Sequence, residues 1–114
     1  MEIKTEDYSV GYESATATVN FQGLLRLPGI PDYEPIIQLL NDVIEQEPPR
    51  IIMNLQELKF LNSSGMSALS RFVIGVRKKK TIQLVVKGSQ GISWQNKSLD
   101  NWQRLMPALT LEWE

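Results

Sequence analysis

The stretch RIIMNLQELKFLNSSGMSAL, residues 50–69, decides how this chain is built. It opens with an apolar run, RIIMNLQ (50–56), placed directly after Pro48 and Pro49, which stop any preceding helix. A short apolar run bounded in this way reads as a buried strand, and Ile52 at its centre is expected in the core. ELKFL (57–61) follows as a connection that keeps Leu58, Phe60 and Leu61 apolar. After NSSG (62–65), Met66, Leu69, Val73 and Val76 recur at helical spacing with Phe72 beside them, so a second kind of element begins here. RKKK (77–80) closes that helix, where cations complement the carbonyl end and stay solvated.

The pattern extends in both directions. Upstream, ATATVNF (15–21) is rich in strand-forming residues, and LLRL (24–27) prolongs it or forms a separate short strand after Gly23. YSVGYE (8–13) suits the partner strand of a hairpin turning near Glu13 and Ser14. Gly29 and Pro31 mark a loop, and Asp32 stands where a helix N-cap is wanted. Tyr33, Glu34 and Pro35 fill the first turn, and Ile36, Ile37, Leu40, Val43 and Ile44 give an amphipathic helix ending at Pro48. Downstream, TIQLVV (81–86) reads as a strand and GSQG (88–91) as a loop. The stripe Leu99, Trp102, Leu105 and Met106 predicts a helix over 98–106, and ALTLEW (108–113) alternates as a last strand. Strands alternating with helices, joined by right-handed crossovers, give a largely parallel sheet, made mixed by the opening hairpin. There is no internal repeat or linker, so residues 1–114 are expected to form one α/β domain.

Composition narrows function. The 114 residues are 42% hydrophobic and 22% charged with a net charge of -1, which suits a globular fold and gives no general attraction to nucleic acid. The basic run 77–80 has no second cluster in the sequence to join, so nucleic acid is not an expected partner. The chain has neither cysteine nor histidine, which removes thiol nucleophiles, disulfides, the commonest general base and the commonest transition-metal ligand. The acidic residues lack the spacing of a calcium or magnesium cage. Lys59 and Ser63 are separated by a loop and fit no serine-hydrolase motif. Catalysis, cofactor and metal are therefore not expected. MEIKTEDYSV is no secretory signal, and no run approaches the roughly 18 apolar residues of a membrane span, so a cytoplasmic location is expected.

In MNL (53–55), LKFL (58–61) and NSSGM (62–66) the chain resembles the STAS family, the sulfate-transporter and anti-sigma-factor-antagonist domains. That family joins an apolar strand ending in Asn or Asp plus Leu to a D-S-S/T-G loop that opens an amphipathic helix. The resemblance implies a mixed sheet of four or five strands with three or four helices packed on it. It also implies a non-catalytic signalling regulator in partner switching and transcription control. In the antagonists the serine after the acidic residue is phosphorylated by a partner serine kinase that is also the anti-sigma factor. Carried over position by position, the acceptor is Ser63, and the partner-binding loop is Asn62, Ser63, Ser64, Gly65 and Met66.

Asn62 stands where the family has aspartate. Asn and Asp cap helices equally well, so the fold is expected to tolerate either, while the missing carboxylate bears on phosphoryl transfer. Two readings stay open: a partner-binding loop switched at Ser63, and a ligand-binding or structural adaptor domain without phosphorylation. A ligand binder needs a sizeable apolar pocket with a few converging polar groups. Gly65 is expected to let another backbone approach the serine hydroxyl. Trp94, ahead of the polar QNKS, is the best candidate for an exposed aromatic, whereas Trp102 is expected in the core and Trp113, ending an alternating strand, is open to packing inward or docking a partner.

Overall fold

Alternation along the strands sets two unlike faces. In a computed structural model describing residues 1–114, the central strand buries Ile51, Met53 and Leu55 on one side and leaves Ile52, Asn54 and Gln56 half-buried on the other. Neighbouring strands repeat the division, with Val10, Val19, Phe21, Leu84 and Val86 all turned into the core. The chain runs β1 (Glu2–Lys4), β2 (Tyr8–Glu13), β3 (Thr18–Leu25), α1 (Glu34–Glu45), β4 (Arg50–Leu61), α2 (Ser63–Lys79), β5 (Gln83–Gly88), α3 (Ser93–Leu105) and β6 (Thr110–Trp113). The six strands lie side by side in sequence order. β1, β2 and β3 form an antiparallel meander, and β3 through β6 are parallel. Right-handed crossovers between adjacent parallel strands put α1, α2 and α3 on one face of the sheet. The opposite face carries polar residues, including a cross-strand hydrogen bond from Asn54 Nδ2 to Asn20 Oδ1 at 2.9 Å. No helix is long and apolar enough to cross a membrane.

The mixed α/β architecture is the expected one, with one strand more than the resemblance implies. The extra strand is β1, added to the hairpin edge by Glu2–Lys4. Several boundaries also move: β3 starts at Thr18 instead of 15, and β6 at Thr110 instead of 108. Residues 57–61 continue β4 instead of leaving the sheet, because β4 carries an extra residue against β3 at two places, between Asn20 and Gln22 and between Gly23 and Leu24. Each shift changes the inward step from two residues to three, so Leu55, Leu58 and Leu61 all reach the core while the sequence loses its alternation. Gly23 fits this irregularity: its φ of 91° suits glycine, and a Cβ there would strike the Asp7 carbonyl. β5 lies two residues later than expected, and α3 starts at Ser93 instead of 98.

Two local expectations are corrected. Asp32 caps nothing: Ile30–Tyr33 form a short 3-10 turn, and α1 follows without a side-chain N-cap bond. Ile52 is only half-buried, because the pleat gives the helix-covered side to Ile51 and Met53.

Candidate functional site: the turn from β4 into α2

Asn62 makes the turn. Its backbone is extended, with φ -80° and ψ 177°, and its side chain caps α2 by accepting the Gly65 N–H at 2.9 Å. The same Oδ1 accepts the Tyr33 hydroxyl at 2.7 Å, and Nδ2 donates to the Leu27 carbonyl at 2.8 Å. The Asn62 backbone N–H donates to Leu25 O, and its carbonyl accepts from Met66. Every polar group of this residue is therefore engaged, and the side chain ties three segments together.

An aspartate could accept from Gly65 and Tyr33, but it has no proton for Leu27. The expectation that Asn and Asp are interchangeable here is thus corrected: capping alone does not distinguish them, whereas the Leu27 carbonyl selects the amide. The asparagine at this position is matched by a local hydrogen-bond acceptor.

Tyr33 completes the brace. Only 1% of it is exposed, and burial pushes its phenol above the ordinary 10.0. A backbone hydrogen bond at Leu27 partly offsets the shift, and Tyr8 adds to it. Tyr33 and Leu27 lie 29 and 35 residues from Asn62, and no local periodicity in the sequence marked them as its partners.

The five residues expected in the loop separate into two groups. Ser63 is exposed at the first position of α2, and its hydroxyl makes no hydrogen bond within the protein, nor does that of half-buried Ser64. Their N–H groups precede any intrahelical acceptor, which leaves positive dipole density beside the Ser63 hydroxyl. Asn62 and Gly65 instead serve the fold. Gly65 is buried, and a Cβ on it would overlap Leu61 Cδ1 and come within 2.7 Å of the Tyr33 hydroxyl. Its missing side chain admits internal neighbours, contrary to the expectation that it opens room for a partner backbone. Met66 is half-buried against the core.

The strand leading into Ser63 is held from the other side by α3. β4 outruns β5, whose pairing ends opposite Asn54. Beyond that point the carbonyls of Leu55 and Leu58 need donors. Gln95 is fully buried, and its Nε2 donates to Leu55 O at 2.7 Å and to Leu58 O at 3.3 Å. Its Oε1 accepts the Ser89 N–H at 2.8 Å. The Trp94 indole donates to Leu58 O at 2.9 Å, so Trp94 is a half-buried strut and not the exposed aromatic expected from the sequence. Trp102 packs inward as expected and donates to Ser70 Oγ, and Trp113 is half-buried against the core. Near the turn, Phe60 is the one large apolar side chain standing clear of the surface, at 45% exposed.

Two shallow concavities are lined mostly by polar residues. One of about 350 Å³ is lined by ten residues, including Lys4, Asp7, Gln22, Glu57 and Lys59, of which one is hydrophobic. Another of about 450 Å³ has two hydrophobic residues among nine. Neither resembles the apolar chamber that a small-molecule binder needs.

Comparison with known proteins places this geometry in a structural class. No family profile and no curated protein matches the sequence. Among solved structures, the chain is similar to one from the crystal structure of the diguanylate cyclase SiaD in complex with its activator SiaC from Pseudomonas aeruginosa. The neighbour is the SiaC chain, with a TM-score of 0.77 and 9% identity over 100% of this chain and 99% of that one. At that identity the likeness is one of fold. SiaC acts in that complex by binding a protein, and its fold is the one described above for this chain.

Proposed function

We propose that this protein is a non-catalytic regulator that binds a protein partner through the 62–66 turn and releases it when Ser63 is phosphorylated. The observation that carries the reading is the division within the turn. Asn62 and Gly65 are consumed by internal contacts, while Ser63 projects from the fixed frame with its hydroxyl free. A scaffold without a partner has no need for an exposed hydroxyl on so firmly braced a helix start. The free N–H groups there accommodate a phosphate without opposing the fold. The fold it shares with SiaC, which activates an enzyme by complex formation, supports partner binding as the mode of action.

The resemblance to the anti-sigma-factor antagonists supports a serine kinase of the anti-sigma type as the partner, with nucleotide bound by the kinase and not by this chain. Residue 62 is an amide and supplies no carboxylate, so activation of the Ser63 hydroxyl falls to the kinase. The shallow polar concavities give the ligand-binding alternative little support.

The test is affinity capture from native extract with wild type and Ser63→Asp, followed by mass spectrometry of partner and phosphosite. Calorimetry with the purified partner then gives the affinities. Wild type and Ser63→Ala should bind, Ser63→Asp should fold normally and bind at least about tenfold more weakly, and Ser63→Ala should resist labelling while Ser64→Ala is still labelled. The switch is falsified if wild type and Ser63→Asp bind equally.

A further inference from the structure

The helical layer is divided by charge. From Ile30 through Glu47 every charged side chain is acidic, namely Asp32, Glu34, Asp42, Glu45 and Glu47. From Ser63 through Leu105 Asp100 is the only acid among many cations. The two regions meet at one ion pair, Lys79 Nζ to Glu45 Oε1 at 3.8 Å. Away from that seam Arg71, Lys78, Lys97 and Arg104 are exposed and have no acidic partner within 4.0 Å. They lie on neighbouring helices, because α2 and α3 are joined by the Trp102–Ser70 bond and by Arg77, whose guanidinium donates to Leu105 O at 2.9 Å.

We propose that this outer face of α2 and α3 docks an acidic protein surface. The inference rests on the Ser63 reading and deepens it by giving the partner's charge. Ser63 heads the outward stripe of α2, in which Ser67, Arg71, Ile74 and Lys78 follow at steps of three and four residues. Small side chains at the head of the stripe permit close approach, half-buried Ile74 offers an apolar contact, and the flanking cations supply attraction. A cationic face on a molecule of net charge -1 steers an acidic partner to one orientation. Protein fits better than single-stranded nucleic acid because α2 and α3 carry no exposed aromatic side chain on which bases could stack. The arrangement also explains why a phosphate would release the partner: it sets negative charge against an acidic surface at the end of the same stripe.

Two measurements test the proposal. In the first, the isotopically labelled protein is titrated with a blocked oligo-glutamate peptide and followed by NMR. Shifts should cluster on α2 and α3, fade at high salt, and be lost in Arg71→Glu/Lys97→Glu but not in Asp42→Lys/Glu45→Lys, with thermal melts as the folding control. Scattered shifts, or tighter binding of a duplex DNA of equal charge, would overturn it. In the second, the partner purified by the Ser63 capture is titrated with the same variants, and Arg71→Glu/Lys97→Glu should weaken it by about tenfold or more. Unchanged affinity there sinks the acidic-partner proposal while leaving the Ser63 switch intact. Loss with charge reversal but not with Ser63→Asp supports the docking face and defeats the switch.

Discussion

Asn62 and Gly65 show how a short motif can be held for internal reasons. The amide of Asn62 satisfies a donor and an acceptor requirement at once, and aspartate can meet only the latter. Asn62→Asp should therefore destabilise the fold by about 1–3 kcal/mol, the cost of leaving the Leu27 carbonyl without its donor. Urea denaturation of the two proteins checks this, and an unchanged midpoint would mean that Leu27 finds another donor. At Gly65 two effects oppose one another. Alanine in place of glycine within a helix ordinarily gains about 0.4–1 kcal/mol. Here its Cβ meets Leu61 and the Tyr33 ring, both held in the core, and overpacking of that kind costs about 1–3 kcal/mol. Gly65→Ala should accordingly lower the urea midpoint, and a rise would show that Leu61 yields easily.

At the scale of elements, β4 carries the site because it is longer than the strand beside it. Its last turnward residues, Leu55 through Leu61, have β3 on one side and the side chains of α3 on the other. Gln95→Leu would remove the donor to Leu55 and the acceptor of Ser89 together. The expected loss is upwards of about 2 kcal/mol, and amide exchange should accelerate most at residues 55–62. Uniform acceleration across the sheet would instead mean that Gln95 supports the whole core and not the overhang. The pleat makes a second forecast on the same strand. Met53→Ala should cost about 2–5 kcal/mol, whereas Ile52→Ala, on the uncovered face, should cost distinctly less. Equal losses in denaturant melts would contradict the assignment of faces.

For the molecule as a whole, Tyr33 links the site to global stability. Its phenol titrates higher when folded than when unfolded, so at alkaline pH the unfolded chain releases this proton first. The stabilisation is complete below about pH 10, the unfolded value, and is lost as pH rises through the raised folded value. Ionisation would also remove the hydroxyl that donates to Asn62. Melts recorded across that range should show wild type declining more steeply than Tyr33→Phe, and parallel curves would show that Tyr33 is not the group responsible.

Much of this was legible in the chain itself. Periodicities of two and of three to four residues, punctuated by Pro48, Pro49 and the glycines, settled the order of strands and helices and so the mixed sheet with its crossovers. The NSSG turn after an apolar strand marked the start of α2, and the position of Ser63 there followed from adjacent residues alone. Local pattern could not supply what depends on chain segments brought together from afar. The register shifts that keep 57–61 in β4 are defined only against β3, and Trp94 is a strut only because Leu58 lies under it. Likewise the need for an amide at 62 comes from Leu27, and the need for no side chain at 65 comes from Tyr33 and Leu61. Hydrogen-bond partners and close packing are properties of pairs in space, and the roles of these residues became definite only when the fold chose their neighbours.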